Sequence, residues 1–208
     1  MIQIPTKAPL MALPNAVLFP HSLLPLHIFE TRYREMLSYS LDGDRMFCVA
    51  LMKRGVTEAT LLKDLCPVAG IGLIRACVGN EDGTSNLVLQ GLARVRLIDW
   101  VQDRSFKIGR IALIESVEGN VIEGEALAEK VKELCLRIAQ IGVQLPSNLM
   151  DHLKQIESAE ILSDVVASAF ISDPFQRQQL LEAAEVCDRL RLLILFLRSF
   201  INEDGSSV

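Results

Sequence analysis

The chain has 208 residues, of which 50% are hydrophobic and 23% charged, with 12 Gly and 8 Pro. That is room for one large domain or two small ones with a packed core, and it excludes the disordered and low-complexity classes. Lys plus Arg number 21 against 26 Asp plus Glu, a net charge of −5, so the general electrostatic footprint of a nucleic-acid binder is missing.

Taken in chain order, the first half reads as strands. Leu10–Leu13 and Ala16–Phe19 are short apolar runs separated by the turn signal Pro14-Asn15. From Leu24 to Phe29, alternation puts Leu24, Leu26 and Ile28 on one face and Pro25, His27 and Phe29 on the other. Thr31 can cap a short helix to about Ser40, with Tyr33, Met36, Leu37 and Ser40 on one side. Met46–Met52 is continuously apolar, as in a strand covered on both faces. Val68–Val78 and Asn86–Trp100 form a hairpin whose connection carries Asp82-Gly83, a source of positive φ. On its second strand Leu87, Leu89, Gly91, Ala93, Val95 and Leu97 share one face, and Gln90, Arg94 and Arg96 lie on a partly wet one. Phe106–Val117 is one more strand.

The second half is helical. Leu127, Val131, Leu134, Ile138 and Ile141 make an apolar stripe, stopped by Gly142 and Pro146. A short helix covers Leu149–Ile156, and another runs from a Ser158 cap through Phe170. Asp173-Pro174 is a cap followed by proline at the first helical position. Val186, Leu190, Leu193, Leu197 and Ile201 line the last helix. The expected class is α+β, with a β-rich unit at 1–120, a helical bundle at 121–202, a join near Gly119–Gly124 and a frayed polar tail at 203–208.

Sequence patterns for chemistry are sparse. The five cysteines are scattered without a CxxC pair, which supports neither a disulfide framework nor a zinc site and fits free thiols in a reducing cytosol. Pro5, Pro9, Pro14, Pro20 and Pro25 are incompatible with an N-terminal apolar helix. Leu192–Leu197 is far shorter than the roughly 20 residues that cross a bilayer. A cytoplasmic protein without membrane contact is expected. P-loop, GxSxG and HExxH motifs are absent, and no catalytic, cofactor-binding or metal-binding residue is expected. A hydrolase built from Cys48 or Cys77 and a histidine would need a contact that the sequence does not reveal. Arg75, Arg94, Arg96 and Arg110 could line up as a basic stripe, which keeps an RNA-binding alternative in view. Without interleaved aromatics, a solvated sheet face is the simpler reading.

The segment Leu13-Pro14-Asn15-Ala16-Val17-Leu18-Phe19-Pro20, continued by Leu24-Pro25-Leu26-His27-Ile28-Phe29-Glu30-Thr31-Arg32-Tyr33-Arg34, closely resembles the opening of the Lon protease N-terminal domain, the LON substrate-binding family. Val68-Ala69-Gly70-Ile71-Gly72-Leu73-Ile74, Leu89-Gln90-Gly91-Leu92-Ala93-Arg94-Val95-Arg96-Leu97 and the closing helical run resemble later parts of that family, so the likeness covers about residues 8–201. Thr31 stands where the family often has proline, and His21 where it often has glycine. The resemblance implies a PUA-like β pseudo-barrel followed by a helical bundle. It also implies a non-enzymatic module that recognises unfolded or exposed apolar polypeptide, or acts as adaptor to a protease or chaperone partner. The ATPase and Ser–Lys peptidase modules of full-length Lon are not in these 208 residues, so proteolysis is not carried over. Proline removes strand donors, so Leu13–Phe29 is expected at a sheet edge, where an extended peptide can dock. Phe19, Phe29 and Tyr33 are the candidate peptide-binding residues. No cofactor is expected, nucleic acid is disfavoured, and self-association stays open.

Overall fold

The computed structural model describes residues 3–141 and 148–204. They divide into two compact units that meet in sequence between Ile114 and Glu115.

The first unit contains β1 (Lys7–Leu13), β2 (Leu23–Ile28), α1 (Thr31–Asp42), β3 (Met46–Leu51), β4 (Val68–Gly79), β5 (Ser85–Asp103) and β6 (Lys107–Ile114). β3, β4, β5, β6 and β1 pair in succession as antiparallel neighbours, and the parallel pair β1–β3 closes the ring. A parallel pair needs a crossover, which β2 and α1 supply. β2 hangs on the N-terminal half of β5, at the end of the strand order, and among the described residues pairs on one side only.

The apolar run of β3 follows from this placement, because each of its six residues is buried. Phe47 and Val49 join a cluster with Tyr33, Met36 and Leu37 of α1, while Met46, Cys48 and Ala50 join a second cluster with Ala69, Ile71 and Val95. A strand serving two cores has no wet face to mark with polar residues.

Several details depart from the sequence expectations. Ala16–Phe19 is not a strand but a stretch without ladder pairing, buried from Val17 onward. Thr31 is the first helical residue of α1, and Glu30 occupies the cap without a side-chain bond. On β5 the register slips at Leu92, since Ile71 faces Ala93 while Gly72 faces Gly91. An extra residue re-aims the side chains beyond it. Leu87 and Leu89 therefore serve the α1 cluster, and Val95 and Leu97 the other. Arg94, expected on a wet face, is buried, whereas Arg75, Arg96 and Arg110 are exposed.

The second unit contains α2 (Val121–Gln140), α3 (Leu149–Gln155), α4 (Ala159–Phe170), α5 (Pro174–Glu182) and α6 (Val186–Asp204). Asn120, Ser158 and Asp173 cap α2, α4 and α5 through their side-chain oxygens. α6 packs on α2 and α4 through Val186, Leu190, Leu193 and Leu197, all buried. On α2 the buried stripe is Gly124, Ala128, Val131, Leu134, Cys135 and Ile138. It is rotated from the expected one, for Leu127 is half-buried and Ile141 is exposed beyond the last turn. Close packing on α6 favours the small residues Gly124 and Ala128 at the contact, and a hydrophobicity count passes over these. Gly142 and Pro146, expected to stop α2, lie outside the described residues. The expected tail overlaps the end of α6 at 203–204 and otherwise falls outside them.

Candidate functional site

The path into β2 is set by three glycines. A Cβ on Gly70 would overlap the Leu18 carbonyl, and one on Gly91 would overlap the Phe19 carbonyl. At Gly72 it would stand 2.8 Å from Leu18 Cδ2 and 2.6 Å from Leu89 Cγ. Gly70, Gly72 and Gly91 thus form a trough across β4 and β5 in which the backbone at Leu18–Phe19 lies. The chain then turns at His21, whose φ is 61°. His21 N–H donates to Gly91 O at 3.1 Å, and Gly91 N–H donates to Ser22 O at 2.9 Å. These bonds start the antiparallel register that aligns Leu23 with Gln90 and Ile28 with Ser85.

Directly opposed residues of antiparallel strands point to the same face. Pro25, Val88 and Ala76 therefore form one outward row, and His27, Asn86 and Val78 the next. Together with Leu26 and Leu87 they line a shallow depression of about 480 Å³. Leu23 (64% exposed), Phe29 (61%) and Val78 (64%) present apolar surface around it. Phe29 stacks on His27, with centroids 5.9 Å apart and planes 21° off parallel. His27 Nδ1 lies 2.9 Å from Asn86 Oδ1, which ties the ring to β5. At the end of the hairpin the Asp82 carboxylate accepts from Thr84 Oγ1 and N–H at 2.7 and 2.9 Å, bonds that hold its pKa below the usual range. This face offers apolar side chains beside an unpaired strand edge, the combination that receives an extended peptide.

The three expected contact residues are not brought together. Phe29 is on this surface. Phe19 is fully buried, with its carbonyl in the glycine trough. Tyr33 is buried under β1, where its hydroxyl donates to Ala12 O at 2.9 Å and accepts from Ala12 N–H at 3.2 Å. Burial raises its phenolic pKa. Val78, Val88 and Ala76 were not singled out from the sequence, because they lie more than 50 positions from Pro25 along the chain and meet it only through strand pairing. The alternation of Pro25, His27 and Phe29 was the available signal for this face.

Among the described residues no group of three His, Cys, Asp or Glu is placed to hold a metal ion. Cys48 is buried in β3, and desolvation pushes its thiol far above the ordinary range, the opposite of an activated nucleophile. No helix among the described residues is long and apolar enough to cross a membrane.

The model of the ATP-dependent protease La (LON) substrate-binding domain matches residues 7–199. The chain belongs to this LON substrate-binding family. Its relatives include Lon protease 2 of Herpetosiphon aurantiacus, 28% identical over 197 residues, which cover 94% of this chain and 24% of that protein. Lon protease of Dictyoglomus thermophilum is 24% identical over 194 residues, 93% of this chain and again 24% of the relative. The chain thus spans about a quarter of the length of the curated relatives it matches. Among solved structures, the N-terminal domain of Mycobacterium avium complex Lon protease superposes with a TM-score of 0.73 at 17% identity, covering 92% of this chain and 98% of that one. The Lon N-terminal domain protein of Xanthomonas campestris gives 0.66 at 22% identity, covering 92% and 99%. These two likenesses establish the LON-domain fold, and the family match covers the substrate-binding domain alone.

Proposed function

We propose that this LON domain is a non-catalytic recognition module that captures extended, apolar segments of unfolded polypeptide on the outward face of β2, β5 and β4. One observation carries the reading: Leu23, Phe29 and Val78 are exposed around the Pro25–Val88–Ala76 row, beside a strand that pairs on one side only. A soluble surface gains nothing from such a grouping unless it is covered by a partner. Phe29 is the aromatic anchor, while Phe19 is buried where the chain enters β2 and Tyr33 is tied to Ala12 of β1. An edge-docked segment would hydrogen-bond along β2 and seat alternate side chains in the depression. The same capture would suit an adaptor that hands a segment to a protease or chaperone, the activity of the longer relatives being theirs.

The RNA-binding alternative has less support, because Arg94 is buried and interrupts the basic stripe in a chain of net charge −5. The test is fluorescence anisotropy with a labelled peptide of alternating valine and serine, run beside a labelled RNA at low and high salt. Phe29→Ala and Val78→Asp are surface changes, expected to leave the fold within about 0.5 kcal/mol. Each should weaken the peptide about tenfold or more, and capture should survive high salt. Unchanged affinity in both variants, or salt-sensitive RNA capture without peptide binding, overturns the reading.

A further inference from the structure

The helical unit carries a second surface feature, separate from the β2 face and unused by the peptide-capture reading. A cavity of about 200 Å³ opens where the first turns of α2, α4 and α6 meet. Val121, Gly124, Ala159 and Val186 contribute to its walls, and four glutamates, Glu118, Glu125, Glu157 and Glu160, line it without any Lys or Arg. Beside it Val117 (58% exposed), Val121 (62%) and Ile122 (79%) turn branched aliphatic side chains to solvent.

Helix starts favour carboxylates, which accounts for a residue such as Glu160 in the first turn of α4. That preference does not explain the set. Each helix start supplies about half a positive charge, so the starts of α2, α4 and α6 together offset about one and a half of the four negative charges. Glu123, on the same turn of α2, is already neutralised by an ion pair with Arg191. No such pair is made by Glu118, Glu125, Glu157 or Glu160 among the described residues. Nor does a helix start call for Val117, Val121 and Ile122 on the surface, because exposed branched aliphatics neither cap nor pack there.

We infer that this acidic, aliphatic-edged cavity at the head of the helical unit docks a basic amphipathic polypeptide segment, one alternating Lys or Arg with aliphatic residues. The aliphatic side chains of the guest would cover Val117, Val121 and Ile122, and its cations would complete the four carboxylates. Charge complementarity of this kind chiefly sets which segments are accepted and how fast they arrive. An apolar segment without cations has no reason to prefer this place, and an acidic one is repelled.

The experiment uses the full chain carrying Phe29→Ala and Val78→Asp, so that the β2 face is disabled and failure of one proposal is distinguishable from failure of the other. The probes are three fluorescein-labelled peptides of equal length: alternating Lys and Leu, alternating Glu and Leu, and alternating Lys and Ser. The Lys/Leu peptide should bind saturably and at least about tenfold more tightly than either of the others. Binding should weaken as salt rises from low to physiological. Glu125→Lys combined with Glu157→Lys should weaken the Lys/Leu peptide about tenfold or more, with the far-ultraviolet spectrum and melting midpoint retained. Ile122→Ser, at a largely exposed position, should weaken it severalfold without affecting Lys/Ser. Equal binding of Lys/Leu and Glu/Leu, no saturable Lys/Leu binding, or indifference to the double charge reversal overturns the inference.

Discussion

The carbonyl of Leu18 rests against the α-carbon of Gly70, in space that any other residue at position 70 would fill with its own Cβ. Gly91 stands in the same relation to the carbonyl of Phe19. These contacts fix the backbone that feeds β2, so the apolar outward face of β2 depends on two missing methyl groups beneath it.

Gly70→Ala and Gly91→Ala should each destabilise the β unit by about 3 kcal/mol or more, since the obstructing atoms are backbone and cannot swing aside. Gly79→Ala is the control. Nothing lies within 4 Å of a Cβ there, and its effect should stay within about 0.5 kcal/mol. Urea midpoints for the three variants check the ranking, and a mild effect at Gly70 would show that the Leu18 segment is free to shift.

In the helical unit Arg189 is fully buried beside Asp164, its Nη1 lying 3.3 Å from Asp164 Oδ1 and 3.2 Å from Ser163 Oγ. It also donates to the Ala183 carbonyl at 3.0 Å and to Ser116 Oγ at 3.1 Å, so one guanidinium joins the segment before α2 to α4 and the α5–α6 turn. Arg189→Met leaves a buried carboxylate without its cation and should cost about 3–5 kcal/mol. Adding Asp164→Asn should return part of that loss. Denaturation followed by helical circular dichroism measures the cycle, and strictly additive effects would mean the two groups do not interact.

Asp64 closes the 3-10 turn Leu62–Asp64 by accepting from the N–H groups of Leu61 and Thr60 at 2.7 and 3.0 Å. The Leu61 bond is the main cause of its lowered pKa. A carboxylate depressed in the folded state adds stability that is complete above the ordinary carboxylate range, and that stability is lost as pH falls through the folded value. The melting temperature of Asp64→Asn should therefore lie below that of the parent at neutral pH, with the gap closing as pH falls below the ordinary carboxylate range. A gap independent of pH would assign the effect to something other than ionisation.

Four of the five thiols are buried, and Cys77 on β4 is partly exposed. Burial pushes Cys135 up to about 12 and moves Cys48 in the same direction. Iodoacetamide on the native protein should label Cys77 first and reach Cys48 and Cys135 only on unfolding. Tryptic mapping after timed quenching decides it; rapid native labelling of Cys48 would mean that β3 opens.

Local chemistry was legible wherever a residue's role is settled by its neighbours in sequence. The stripe Tyr33, Met36, Leu37 and Ser40 is the buried face of α1, because helical spacing needs only its own turn. Ser158 and Asp173-Pro174 begin α4 and α5 for the same reason. The alternation around Pro25 separated the outward face of β2 from its inner one, and the motifs from Leu13 to Arg34 indicated the family before any coordinates.

Tertiary structure alone decided the rest. By sequence Phe19 is a candidate contact, and the glycine trough assembled from β4 and β5 places it in the core; Arg94 reads as wet until the slip at Leu92 turns it inward. The apolar outward face exists only where β2, β5 and β4 are in register, and the acidic cavity only where three helix starts meet. Periodicity along a chain reports which side of an element is apolar. What that side meets depends on which distant backbone arrives there, and a few ångströms of approach, such as the room left by Gly70, settle it.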